Sequence, residues 1–241
     1  MKTILLFSQI TKQDHPIVGG KASKLAELFN SGFNVPNGFV ITTNASKITD
    51  ELKQQITQTL SKFRAPFAVR SSATAEDLKT ASFAGQYDTF LNVKGEDIFE
   101  HIHKCQASLN TERAVFYRKQ KGITSVKMAV IIQEMIQPDF AGVVFTIDPI
   151  HNKHILVETA PGLGEAVVSG RITPNDYFVN RRNFSIVNKT IHTQELDEQI
   201  VKDIAIASLQ IERHFNSPQD IEFAVKDNKI FILQSRPITT L

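Results

Sequence analysis

Two tripeptides near the C-terminus, Asp220-Ile221-Glu222 and Gln234-Ser235-Arg236, constrain this chain more than any other feature. Apolar positions alternate between them and flank a polar turn, Lys226-Asp227-Asn228-Lys229, so the segment predicts a β-hairpin. Directly opposed residues on paired strands point to the same face, and turn length therefore decides which side chains meet. A two-residue loop at Asp227-Asn228 would set Glu222 against Leu233 and send Gln234 to the other face. A three-residue loop, Asp227 to Lys229, would set Glu222 against Gln234 and Asp220 against Arg236, all four on one face. Such loops usually hold a residue in the left-handed region, which Asn tolerates, and the three-residue loop is the expectation. Two carboxylates, an amide oxygen and a guanidinium then suit a magnesium-bound polyphosphate. Mg²⁺ prefers hard oxygen ligands, commonly one or two carboxylates plus phosphate oxygens. Arginine offers a planar fork that matches phosphate geometry. A solvated edge hairpin with a surface ion pair would use the same residues.

At 241 residues, with 41% hydrophobic and 22% charged, the composition is that of a soluble globular protein with ample core. A net charge of +2 argues against a broad nucleic-acid footprint. The single cysteine, Cys105, rules out an internal disulfide and fits a reducing compartment. The apolar run Ile4 to Phe7 after Met1-Lys2 is too short for a signal segment and reads as a first strand. No apolar run reaches bilayer length, so the expectation is a cytoplasmic chain without membrane or nucleic-acid partners.

Along the chain, helical spacing covers Ala22 to Asn30, residues 45 to 62, one long stretch from 96 to 120, and 195 to 214. Strands are expected at Phe39 to Thr42, Phe67 to Arg70, Thr89 to Val93, Met128 to Ile132, Ala141 to Ile147 and Ile155 to Glu158, with a hairpin within Tyr177 to Ile191. The fold class is mixed α/β. Two lobes are expected, 1–125 and 126–241, with a ligand cleft between them.

Several positions carry candidate chemistry. Lys21 lies in the first turn of its helix, where the macrodipole disfavours a cation unless an anion is held there. A lysine pointing into water accounts for it equally well. Arg70 ends an apolar strand and opens a serine-rich loop, a position that aims into a cleft or holds loop carbonyls. Gly85 would let backbone approach a phosphate, though most loop glycines only turn the chain. Gln133, Glu134, Met135 and Ile136 follow a buried strand and suit a hinge that reads a purine edge, or a plain strand end with a core methionine. Gly20-Lys21 is not a Walker A loop, because His15 and Ala22 replace the required Gly and Ser/Thr. Gly162-Leu163-Gly164 lacks the rest of a dinucleotide fingerprint, and the seven histidines show no metal-ligand spacing.

Six motifs occur in order: Val18-Gly19-Gly20-Lys21-Ala22, Val35-Pro36-Asn37-Gly38-Phe39, Val69-Arg70-Ser71-Ser72-Ala73-Thr74-Ala75-Glu76-Asp77, Ser82-Phe83-Ala84-Gly85-Gln86, Ala141-Gly142-Val143-Val144-Phe145-Thr146 and Gln234-Ser235-Arg236-Pro237-Ile238. Together they resemble the N-terminal ATP-binding domain of the phosphoenolpyruvate synthase, pyruvate phosphate dikinase and rifamycin phosphotransferase group, from about Gly19 to Thr239. The resemblance implies a two-lobed ATP-grasp fold with ATP and Mg²⁺ as cofactors. It implies that Lys21 and Arg70 hold the phosphates, that the Gly85 loop closes over them near Thr89, and that Gln133 to Ile136 receive the adenine. It assigns Mg²⁺ to Glu222 and Gln234 with Asp220 nearby, and the transferring end of the triphosphate to Arg236.

Two departures qualify it. The chain ends five residues after Arg236, and no T-x-G-x-x-x-H-A histidine motif is present. The stretch from Gly38 to Arg70 is also shorter than the family's, which suggests a trimmed first lobe. The implied activity is therefore a partial reaction, phosphorylation of a histidine on a separate domain or subunit. A nucleotide-binding module without turnover and an excised fragment of a larger enzyme are the alternatives.

Overall fold

The computed structural model describes residues 2–45, 47–75, 87–149, 152–168 and 170–238. It divides the chain into two units, Met1–Met135 and Ile136–Leu241.

The first unit is built on β1 (Ile4–Leu6), α1 (His15–Asn30), β2 (Gly38–Ile41), α2 (Asp50–Leu60), β3 (Phe67–Ala73), β4 (Thr89–Val93), α3 (Ile98–Ala107), α4 (Glu112–Gln120) and β5 (Met128–Glu134). Its antiparallel sheet runs β1-β2-β5-β3-β4. The apolar run of β5 predicts a strand covered on both faces, and it takes a central place, paired with β2 on one side and β3 on the other. This moves the division about ten residues beyond the expected boundary at 125, because β5 belongs to the first sheet.

One face of that sheet carries Phe39, Ile41, Val69, Val130 and Ile132, packed with Ile56 of α2 and Ile98, Ile102 and Cys105 of α3. The other face meets α1. Burying these apolar side chains is worth roughly 1.5–3 kcal/mol each. Thr49 caps α2 by accepting from the Leu52 amide. The single helix expected from 96 to 120 is two helices. Ser108 turns its hydroxyl back onto the Cys105 carbonyl at 2.7 Å, and Thr111 takes extended backbone and caps α4 through the Ala114 amide.

The second unit comprises β6 (Phe140–Phe145), β7 (Ile155–Pro161), α5 (Glu165–Val168), β8 (Asn175–Val179), β9 (Ile186–Thr190), α6 (Glu198–Phe215), β10 (Gln219–Lys226) and β11 (Lys229–Pro237). Its antiparallel sheet runs β11-β10-β6-β7-β8-β9. Ile221, Phe223, Val144, Val157 and Tyr177 share one buried face, and α6 packs on β10, β6, β7 and β8. The Tyr177 hydroxyl accepts from the Leu196 amide just ahead of α6. Asp197 caps that helix, and Asn216 closes it in the left-handed conformation.

The terminal hairpin does not have the expected loop. Lys226 pairs with Lys229, leaving a two-residue turn at Asp227-Asn228, both at positive φ (50° and 59°). That is the turn whose twist suits a hairpin. By itself it would oppose Glu222 to Leu233. A β-bulge intervenes: Phe223 pairs with Ile232, whereas Glu222 pairs with Gln234 and Asp220 with Arg236, so Leu233 is the extra residue. The expected pairing is present, reached through a bulge rather than a longer loop.

Candidate functional site

Polar groups collect on one sheet face in each unit. In the first, β3 alternates. Ser71 faces α3, with its hydroxyl on Ser108 and the Cys105 carbonyl. Ser72 faces α1, and Arg70 shares that side by parity. Ser72 Oγ donates to the Val18 carbonyl at 2.8 Å and accepts from the Ala22 amide at 3.0 Å. Between those contacts Gly19 sits at φ 80° and ψ 171°, a kink that divides α1. A Cβ at Gly19 would lie 2.4 Å from the Ser72 carbonyl oxygen, so glycine is required both for the angle and for the close approach. The helix resumes after the kink, and Lys21 falls in the first turn of the resumed segment, its Nζ donating to the Ser71 carbonyl at 3.1 Å.

Arg70 is only 7% exposed. Its Nη1 lies 3.5 Å from Gln133 Oε1, and Gln133 Nε2 donates to the Pro36 carbonyl at 2.9 Å. Thr89 on β4 is directly opposite Arg70 and exposed. Lys21, Arg70, Thr89 and Gln133 therefore gather at the α1 side of this sheet. Glu134 turns away, with Oε1 accepting the Arg64 amide at 2.8 Å. The backbone amides of Glu134 and Met135 donate to the carbonyls of Asn37 and Pro66. Gly85 lies outside the described residues, as do Glu76, Asp77 and the whole Ser82 to Gln86 motif.

In the second unit, Gln234, Glu222, Val143, Glu158, Asp176 and Thr190 form one row of directly opposed residues across all six strands. The neighbouring row begins with Arg236 and Asp220. Both rows lie on the face opposite Phe223 and Tyr177. Arg236 holds Asp220 through Nε and Nη2, each 2.7 Å from Oδ2. Burial raises the Glu158 carboxyl above its ordinary value, and the Asp176 and Asp220 carboxylates add to the rise. Asp176 is raised by burial too, against the opposing pull of His192.

Sequence reading missed Glu158 and Asp176. The available signal was a carboxylate inside each of two otherwise strand-like runs, Ile155 to Pro161 and Asn175 to Val179. Among the described residues no group of three or more His, Cys, Asp or Glu side chains could hold a metal alone. The opposed Glu222 carboxylate and Gln234 amide oxygen are hard donors. They fit a magnesium ion that takes its remaining ligands from phosphate and water, and they do not fit a soft metal. Among the described residues no helix is long and apolar enough to cross a membrane.

The chain matches the family model described as "Pyruvate phosphate dikinase, AMP/ATP-binding domain" over residues 44–197 and 190–241. A probable phosphoenolpyruvate synthase of Methanocaldococcus jannaschii is 34% identical over 100% of this chain and 27% of its own length. A rifampicin phosphotransferase of Bacillus cereus is 38% identical over 99% of this chain and 36% of its own. The chain thus spans well under half the length of either relative. The alignment with the Methanocaldococcus protein runs over 320 positions, so that relative carries insertions inside the matched region. Among solved structures, D-alanine–D-alanine ligase from Bacillus anthracis superposes with TM-score 0.50 and 11% identity, covering 90% of this chain and 56% of the ligase. A Pyrococcus horikoshii protein superposes with TM-score 0.53 and 12% identity over 96% of this chain and 97% of its own. These two likenesses bear on fold, which is of the ATP-grasp kind.

Proposed function

The chain belongs to the pyruvate phosphate dikinase AMP/ATP-binding domain family, and from that premise we propose that it binds Mg-ATP and starts a dikinase-type phosphoryl transfer. In this reading Lys21 and Arg70 hold the phosphates, with Thr89 and the Gly85 loop beside them. Gln133 to Ile136 receive the adenine. Because the Glu134 and Met135 amides already serve the Asn37 and Pro66 carbonyls, the hinge would present its other backbone groups and the Met135 side chain.

Glu222 and Gln234 would hold Mg²⁺, with Asp220 close by, and Arg236 would grip the transferring end of the triphosphate. The metal, when bound, would supply positive charge against the charge that develops during transfer. The residues themselves position and screen: phosphoryl transfer asks a protein mainly for alignment and charge stabilisation.

The observation that carries the proposal is the bulged hairpin, which gives Glu222, Gln234, Asp220 and Arg236 one common face. The acceptor in this reading is a histidine on a separate domain or subunit, on the way to a final acceptor such as pyruvate. AMP would leave once the histidine holds the β-phosphoryl group and water has taken the γ-phosphoryl group as inorganic phosphate. The test supplies a family histidine domain in trans with labelled ATP. Labelled histidine together with AMP supports the proposal. Saturable Mg-ATP binding with no label on any histidine domain replaces it with a nucleotide-binding module that does not turn over.

A further inference from the structure

We propose that Ser72 is a positioning residue for the cations of the first unit: its hydroxyl fixes Lys21 to the strand that carries Arg70. Ser72 is fully buried on β3. Its hydroxyl has two partners in α1, one on each side of the Gly19 kink. It gives its hydrogen to the Val18 carbonyl at 2.8 Å and accepts the Ala22 amide at 3.0 Å. That amide belongs to the peptide joining Lys21 to Ala22, so the contact holds the backbone of the lysine. The preceding residue of β3 holds the other end, because the Ser71 carbonyl accepts from Lys21 Nζ at 3.1 Å. Lys21 is therefore gripped at backbone and ammonium by two consecutive residues, and Arg70 directly precedes them.

The chemistry of the position calls for a small hydroxyl. One atom must donate to a carbonyl and accept from an amide, which a serine oxygen can do and an alanine methyl cannot. Space is short as well: a Cβ at Gly19 would lie 2.6 Å from Ser72 Oγ. The neighbouring hydroxyl does different work, since Ser71 Oγ meets Ser108 and the Cys105 carbonyl on the α3 side. The consequence for nucleotide binding rests on the function proposed above. The placement of Lys21 does not.

A double-mutant cycle on the full chain separates positioning from mere support of the fold. Ser72→Ala, Lys21→Ala and the double variant are titrated with Mg-ATP. With Lys21 present, Ser72→Ala should weaken binding about tenfold, the scale of one charge-assisted contact. With Lys21 already removed, the same change should weaken it by no more than about twofold, because a residue that acts through another has little further effect once that other is gone. Equal losses in the two backgrounds would mean that the serine only supports the fold, and would overturn the proposal.

A second readout needs no nucleotide. Lys21 is half-buried, and its reaction with an amine-acylating reagent can be followed by peptide mass spectrometry. Ser72→Ala should speed acylation at Lys21 severalfold relative to the other lysines. A rate unchanged from the parent, or a rise shared by every lysine, overturns the proposal. If Ser72→Ala does not fold, Ser72→Cys, which keeps a weak donor and acceptor, goes through the same cycle and the same labelling under the same criteria. A parent that binds no Mg-ATP retracts the nucleotide reading, and acylation at Lys21 then decides the positioning role by itself.

Discussion

Arg236 clasps Asp220 across the β10–β11 ladder, with two guanidinium nitrogens on the single oxygen Oδ2, each at 2.7 Å. Asp220 is 8% exposed, so these contacts are largely shielded from water. Removing the guanidinium takes two charge-assisted contacts from a largely buried carboxylate. Arg236→Ala should therefore cost about 1–3 kcal/mol, the low end being favoured because the arginine itself is partly exposed. Under the proposed function it should also reduce phosphoryl transfer more than Mg-ATP binding. Thermal denaturation, nucleotide titration and the trans-labelling assay measure the three effects separately. Transfer at the parent rate would remove Arg236 from its assigned role.

Mg-ATP should raise the melting temperature, since a ligand that binds only the folded state stabilises it, by about 2.7 kcal/mol at a hundred times Kd. Glu222→Ala should blunt this shift chiefly in its dependence on magnesium. Melting curves over a magnesium series at fixed ATP provide the check. Superimposable series for parent and variant would show that Glu222 does not hold the ion.

Glu158 makes stability depend on pH. Its folded pKa is raised by burial and by Asp176 and Asp220, so the folded state favours the protonated carboxyl. Stability from this group is present at pH below the unfolded value and is lost as pH rises through the raised folded value. At pH above that folded value the charged, half-buried carboxylate is a burden. Glu158→Gln should raise Tm there by a few degrees, on the order of 2 °C, with the gain fading toward acid pH. A variant less stable than the parent at pH 7 would mean that Glu158 makes a favourable contact in its charged form.

Gly19→Ala should destabilise the first unit by about 1–3 kcal/mol, because the backbone angle is one that side chains rarely adopt and the new Cβ would press on the Ser72 carbonyl. It should also weaken Mg-ATP binding by displacing Lys21. Circular dichroism and nucleotide titration follow the two losses. Full stability in the variant would show that the kink can relax without cost.

Much of this architecture is legible in the chain itself, and the exceptions have physical causes. Short apolar runs, and alternation in the terminal hairpin, located most strands, and capping residues such as Thr49 and Asp197 mark where helices begin. The pairing of Glu222 with Gln234 was expected from parity, yet the two-residue turn and the bulge that jointly produce it were not, since the two devices cancel in the residue count. The break in the stretch from 96 to 120 turned on Ser108 and Thr111, which bind backbone locally and leave the apolar spacing almost undisturbed. The place of β5 in the first sheet is a matter of long-range pairing with β2 and β3, which periodicity does not encode. Lys21, Arg70 and Gln133 are widely separated in sequence and meet only because α1, β3 and β5 pack as neighbours.

The interruption at Gly19 has a further meaning for the electrostatics of the first unit. By dividing one helical run, the chain gains an additional helix beginning beside Lys21, capped not by a preceding residue but by a hydroxyl reaching across from a strand, Ser72. The positive pole of the resumed segment and the lysine ammonium then reinforce each other as an attraction for negative charge.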